Sequence, residues 1–183
     1  LHLLSRRQRQ MCIRDRADSI AVHGILQPLT VRELPQSQYY QIIAGERRWR
    51  AARLAGLPEI PALVVEADDR KAMELALIEN LQRQDLNPVE EALGYQSLLT
   101  DYGLTQEEAA QRVGKSRPAV ANALRLLNLE AKILEMVKTG ALSPGHARAI
   151  LRVKDPKKQR EAAQKIAALD LSCLLYTSPS PRD

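Results

Sequence analysis

Tyr39-Tyr40-Gln41-Ile42-Ile43-Ala44-Gly45-Glu46-Arg47-Arg48-Trp49-Arg50 decides how this chain is read. Residues 39–44 have the alternation of a half-buried strand and a helix-like run begins at Glu46, so Gly45 stands at a strand-to-helix turn. Glycine enters the left-handed region there without steric cost. The leading N–H groups of a helix have no internal acceptor, and the helix dipole adds partial positive charge at that end. Arg47 and Arg50 share a face and Arg48 flanks them, giving planar donors that can grip phosphate oxygens in pairs. Gly45 to Arg50 therefore reads as a phosphate site. Glu46 is an ordinary first-turn carboxylate, and beside a phosphate it can also orient a metal-bound water. Arg-rich first turns are also common solvated surface, so the decision rests on the company this one keeps.

Working outward, Asp18 to His23 reads as the end of a short helix stopped by Gly24. Leu29 to Leu34 alternates, Pro35 to Gln38 turns, and Tyr39 to Ala44 alternates again, as in a hairpin. A helix from about Glu46 to Leu54 ends at Gly56, and Ile60 to Val65 is a third β-rich run. From Asp69 to Arg83 the residues Met73, Leu77, Ile78 and Leu81 recur at helical steps, predicting an amphipathic helix. Asn87 then caps a new helix with Pro88 in its first turn. This predicts an α+β domain over residues 17–84 and an all-α domain over 85–172.

In the second half, Thr105-Gln106-Glu107-Glu108 is a capping box, Gly114 turns the chain, and Ser116 caps a second helix through Leu127. Two short helices around a glycine, with Ala109 and Ala110 at the tight contact, predict a helix-turn-helix. Lys115, Ser116 and Arg117 lie at the start of its second helix and Asn122 and Arg125 further along, while Val120, Leu124 and Leu127 face inward. Lys and Arg suit phosphates and Asn can read adenine, although Thr105 and Ser116 serve equally as plain caps and the cations as a solvated face. Further helices are predicted from about Leu129 to Lys138, from Pro144 to Val153 behind Ser143, and from Lys157 to Leu169. His146 and Arg148, in the first turn of the Pro144 helix, are minor phosphate contacts.

Glu79 and Asn80 end an otherwise apolar-faced helix, with Arg83 four residues after Glu79. A simple ion pair between Glu79 and Arg83 is one reading, worth only ~0.3–0.5 kcal/mol. The other is a pair of hard oxygen ligands for Mg²⁺, which takes one or two protein ligands plus phosphate oxygens and water. Gln27, held by Pro28 after Gly24, can hydrogen-bond a ligand or position water, or simply turn the chain.

The termini read differently. One codon choice for Met11 to Asp15 has a reverse complement that, shifted in frame and extended by a few bases, encodes Cys173 to Ser178, and the pair resembles the inverted ends of a transposon-based sequencing library. Residues 6–16 and 173–183 are accordingly expected to be adaptor read-through, with Leu1 to Ser5 unplaced, so that 1–16 and 173–183 lie outside the two domains. Residues 17–172 hold 21 cations and 20 anions, so the formal charge falls from +5 to +1 and any nucleic-acid case rests on local clustering. Cys12 and Cys173 both lie in the set-aside ends, which removes disulfide and thiolate chemistry from the rest. No apolar run approaches the ~20 residues of a membrane span. The expectation is a soluble, cytoplasmic protein without a membrane partner.

Three motifs in order, Gly24-Ile25-Leu26-Gln27-Pro28, Gly45 to Ala51 and Glu79-Asn80-Leu81-Gln82-Arg83, together with Gly114-Lys115-Ser116-Arg117 and Leu142 to Arg148, resemble the ParB family of chromosome and plasmid partition proteins. The resemblance covers essentially residues 17–172. It implies a small ParB/sulfiredoxin-like α+β domain that binds CTP with Mg²⁺ and hydrolyses it slowly to CDP and phosphate, followed by a helix-turn-helix domain that binds a parS-like palindrome in double-stranded DNA. It implies that Gly45, Glu46, Arg47, Arg48, Asn80 and Arg83 hold the nucleotide, that Glu79 and Asn80 meet the metal, and that Gln27 and Glu46 assist hydrolysis. On the DNA side it implies Thr105, Gln106, Lys115, Ser116, Arg117, Asn122, Arg125, His146 and Arg148. It further implies a dimer that closes into a sliding clamp, a nucleoid location, and a ParA-type ATPase partner for the full-length parent. The choice of cytosine comes from the resemblance alone. The N-terminal ParA-engaging peptide and C-terminal dimerisation domain of the family are not seen, so the chain reads as a fragment. The alternatives are a nucleoid-occlusion paralogue, a phosphotransfer enzyme on the same small fold, and a nucleotide-independent helix-turn-helix regulator.

Overall fold

The structure, a computed structural model, describes residues 2–35, 37–83 and 85–169; the expected C-terminal adaptor segment 173–183 lies outside them. In chain order the elements are α1 (His2–His23), β1 (Leu29–Glu33), β2 (Tyr40–Ala44), α2 (Glu46–Leu54), β3 (Ala62–Val64), α3 (Asp69–Leu81), α4 (Pro88–Thr100), α5 (Gln106–Val113), α6 (Arg117–Leu126), α7 (Ala131–Lys138), α8 (Pro144–Ile150) and α9 (Pro156–Leu169). They fall into two compact units, residues 1–76 and 77–183, divided within α3.

In the first unit the sheet order is β2-β1-β3. The predicted hairpin is present: β1 runs antiparallel to β2, with Val31 opposite Ile42, and parallel to β3, with Val31 opposite Val64. Leu29 and Val31 supply its buried face. Ala51 and Ala52 of α2 are fully buried against Ala17 and Ile20 of α1, small side chains that let two helices approach closely. Two sequence expectations are corrected. The helix expected to be short and to end over Asp18 to His23 is long, running from His2, and Ile13, inside the segment set aside, packs on the α1–α2 cluster. Arg, Gln, Leu and Met are strong helix formers, and once a helix exists each added residue costs little. Arg32, placed by alternation on a polar face, is buried: Nε donates to Gln41 Oε1 (2.7 Å), Nη1 to the Ala67 carbonyl (3.1 Å), and Nη2 pairs with Asp69. A buried guanidinium is tolerated because its donors are satisfied in this way.

The second unit is helical. Asn87, Thr105, Ser116 and Ser143 cap α4, α5, α6 and α8 as predicted, with reciprocal boxes at Asn87, Thr105 and Ser143. One cluster gathers Ile78, Leu81, Tyr95, Leu98, Ala109, Ala110, Val113 and Val120; a second gathers Leu126, Leu129, Ile133, Val137, Leu142, Ala147, Ile150 and Ile166. Helix α6 serves both, Val120 in the first and Leu126 in the second, so Leu126 rather than Leu124 or Leu127 is the deeply buried leucine. Met73 is 63% exposed, and Ala72 and Glu74 are the buried positions of that turn instead. The predicted helix from Pro144 to Val153 stops at Ile150, which puts Arg148 in its last turn rather than its first. Gly94 lies so close to α3 that an added Cβ would sit 2.5 Å from Leu81 Cδ2.

Candidate nucleotide and nucleic-acid sites

Gly45 is the N-cap of α2 at φ 102°, a left-handed conformation that L side chains rarely adopt. Space is tight as well, since a Cβ would lie 3.1 Å from Leu29 Cγ, closer than ordinary contact. No side chain among the described residues caps α2, and at its mouth Arg48 N (2.9 Å) and Trp49 N (3.0 Å) donate to the Gly45 carbonyl. The leading donors of α2 thus remain available, which is the arrangement an anion requires.

Around this mouth the expected residues behave differently from one another. Arg47 is half-buried, and among the described residues its guanidinium has no hydrogen-bond or ion-pair partner. Arg48 turns back: its Nη1 donates to the carbonyls of Gln27 (2.9 Å) and Pro28 (2.7 Å), tying the Gly24 to Pro28 turn to α2. Glu46 accepts from Arg50 Nε at 2.8 Å across one exposed helical turn, so Arg50 is held by the first-turn carboxylate. The Gln27 side chain is exposed. Trp49 carries the Arg53 guanidinium over its ring, 5.7 Å from the centroid.

Glu79 and Asn80 sit side by side and exposed in the last turn of α3, in the second unit. The alternative reading, a Glu79–Arg83 pair, is not the one formed: Arg83 grips Asp85 with both prongs, Nε–Oδ1 at 2.9 Å and Nη2–Oδ2 at 2.6 Å. That bond, more than the field of Glu79, raises the Arg83 pKa above its ordinary value. The Glu79 carboxylate is therefore left without an ion-pair partner among the described residues, as an oxygen ligand for a hard cation should be.

On the helix-turn-helix, Lys115, Ser116, Arg117 and Arg125 are exposed and Asn122 is half-buried. The Ser116 hydroxyl accepts from Ala119 N (3.3 Å), so its oxygen is engaged in capping α6. Thr105 is likewise committed: Oγ1 accepts from Glu108 N (3.2 Å) and donates to Glu108 Oε2 (2.8 Å), while Thr105 N donates to the same carboxylate (2.8 Å). These bonds, the backbone one first, hold the Glu108 carboxyl below its usual pKa. Gln106 and Arg125 come together on a cleft of about 530 Å³ whose wall also includes Gln96 and Asn128, neighbours that sequence reading missed because nothing local marks them. His146 completes the α8 cap, its Nδ1 accepting from Ser143 N (3.3 Å), and Arg148 is exposed. No helix of the described residues is long and apolar enough to cross a membrane.

Two family descriptions match the chain, the ParB N-terminal domain over residues 6–81 and the ParB HTH domain over residues 84–174. The chromosome-partitioning protein Spo0J of Thermus thermophilus is 58% identical over 142 residues, 78% of this chain and 52% of that protein. Stage 0 sporulation protein J of Bacillus subtilis is 50% identical over 155 residues, 85% of this chain and 54% of that one. The chain spans about half the length of the curated relatives it matches. Among solved structures, the C-terminally truncated chromosome-partitioning protein ParB from Caulobacter crescentus, complexed to the centromeric parS site, superposes with a TM-score of 0.81 at 44% identity, covering 91% of this chain and 84% of that one.

Proposed function

This chain belongs to the ParB family, and from that premise we propose that it is the nucleotide- and DNA-binding part of a partition protein. Its second unit docks a parS-like palindrome in duplex DNA, with α6 in the major groove and Lys115, Arg117 and Arg125 on phosphates and base edges. The Caulobacter relative, bound to parS, supports this reading. Its first unit takes CTP, with the triphosphate at the mouth of α2. Gly45 lets the backbone approach, Arg47 supplies the free guanidinium, and Arg48 holds the turn that carries Gln27.

Mg²⁺, when bound, would neutralise phosphate charge, and Glu79 and Asn80 are the hard oxygen donors that suit it. Gln27 and Glu46 orient the attacking water for slow hydrolysis to CDP and phosphate. Nucleotide binding orders the site and closes two copies into a clamp around DNA in the cytoplasm, at the nucleoid; the full-length parent engages a ParA-type ATPase.

The observation that carries the nucleotide reading is the uncapped α2 mouth behind a glycine held in the left-handed region, where L side chains are strained. Calorimetry with each ribonucleoside triphosphate and Mg²⁺, with and without parS duplex, tests it. Tighter binding of CTP than of the others is expected, and no heat from any of them would refute it.

A further inference from the structure

The turn joining α8 to α9 carries more positive charge per residue than the recognition helix. Arg152, Lys154, Lys157 and Lys158 fall within seven residues, whereas Lys115, Arg117 and Arg125 spread over eleven. All four are exposed. Ion pairs of this unit join Arg83 to Asp85, Lys138 to Glu135 and Arg160 to Glu130, and among the described residues none of Arg152, Lys154, Lys157 and Lys158 has a carboxylate partner. The only acid in the stretch, Asp155, spends its Oδ1 on Lys157 N (2.9 Å). The turn is held in shape, because Gln159 Nε2 donates to the Val153 carbonyl (2.7 Å) and Arg152 N to that of Ala149 (3.1 Å).

Stability does not account for these charges. Helices α4 and α5 put Glu90, Glu91, Glu107 and Glu108 in their first turns, as the helix dipole favours, but α9 puts Lys157 and Lys158 there, where the dipole disfavours them. The surface also lacks what an apolar partner or a bilayer would grip, since no large apolar side chain after Leu93 is exposed among the described residues. What remains complementary is a regular polyanion. Helix α8 packs on α6 and on α9, so this cationic turn belongs to the same helical unit as the helix-turn-helix.

We infer that Arg152, Lys154, Lys157 and Lys158 form a second, sequence-independent contact with the phosphate backbone of duplex DNA, distinct from the residues that read the palindrome. The inference rests on the DNA half of the proposed function. It assigns affinity for any duplex to the α8–α9 turn, and sequence choice to α6.

The test uses the whole chain with Arg152→Gln, Lys154→Gln, Lys157→Gln and Lys158→Gln combined, and a control with Lys132→Gln and Lys165→Gln, exposed cations elsewhere on the unit. Anisotropy titrations on a scrambled duplex and on a parS duplex of equal length, across a salt series, give affinity and slope. The fourfold variant should bind the scrambled duplex at least roughly tenfold more weakly, with the salt slope reduced by about two to three, since each phosphate contact contributes ~0.9. Its preference for parS over scrambled duplex should persist, its circular dichroism should match wild type, and the control should stay within about twofold. A fourfold variant with wild-type affinity and slope, or a control that loses as much, would overturn the inference. So would phosphatidylglycerol vesicles that displace the scrambled duplex from the wild type but not from the variant. A wild type without preference for parS would sink the site-recognition reading instead, and the scrambled-duplex slope would still decide this one.

Discussion

Arg48 Nη1 lies 2.7 Å from the carbonyl oxygen of Pro28, so one member of the arginine pair at the mouth of α2 is spent on backbone while its neighbour, Arg47, has no partner among the described residues. The two arginines should therefore fail in different ways. Arg47→Ala should weaken nucleotide binding tenfold or more without moving the melting temperature, because nothing in the fold leans on its guanidinium. Arg48→Ala should weaken binding and also destabilise the first unit by about 1 kcal/mol, the usual worth of such hydrogen bonds at an exposed site. Calorimetric titration beside thermal melts separates the two.

On the helix-turn-helix, Arg117→Ala and Lys115→Ala should each reduce the salt slope of parS binding by roughly 0.9 while leaving CTP affinity unchanged, because the proposed nucleotide site at the mouth of α2 lies in the other unit. A parallel loss of CTP affinity in the absence of DNA would contradict the separation.

Gly94→Ala sets helix propensity against space. Alanine gains about 1 kcal/mol in a helix interior, but its Cβ would lie 2.5 Å from Leu81 Cδ2 in a packed cluster, and overpacking costs roughly 1–3 kcal/mol. Net destabilisation of about 1 kcal/mol is expected in urea unfolding, and Leu81→Ala in the Gly94→Ala background should relieve the clash without repairing the core it empties.

Acid should weaken the second unit through Glu108 and Asp101. Both carboxyls are held below their ordinary pKa: Glu108 by the Thr105 N–H and hydroxyl, Asp101 by the hydroxyls of Ser97 and Thr100. A depressed folded-state pKa gives stability that is full above the unfolded value, near 4, and is lost as pH falls through the folded one. Thermal melts should therefore stay level from about pH 7 to 5 and drop below about 4, and Glu108→Gln should flatten part of that drop. An unchanged acid limb in Glu108→Gln would remove the Thr105 box from the account.

Local chemistry was legible in the sequence. Gly45, the Asn87 and Ser143 caps, the Thr105 box and the Gly114 turn stand where residue type and spacing put them, because a cap or turn is decided within four or five residues. What escaped was non-local. Arg32 is buried by partners up to 37 residues away, and Arg48 reaches carbonyls 20 and 21 residues back, neither of which any periodicity announces. Met73 fitted the helical stripe yet faces outward, and Leu126 lay off it yet is buried, since α6 answers to two clusters and a single stripe describes one. The free state of Arg47 and the bound state of Arg48 could not be told apart from two adjacent letters.

The lone tryptophan, Trp49, stands two residues beyond Arg47 on the very helix whose mouth is proposed to receive a triphosphate, with a guanidinium already resting on its ring. Intrinsic emission near 350 nm therefore comes from a single indole with a known address. Ligand arrival can be timed in a stopped-flow cuvette without attaching a dye, against a background of only five tyrosines and no phenylalanine.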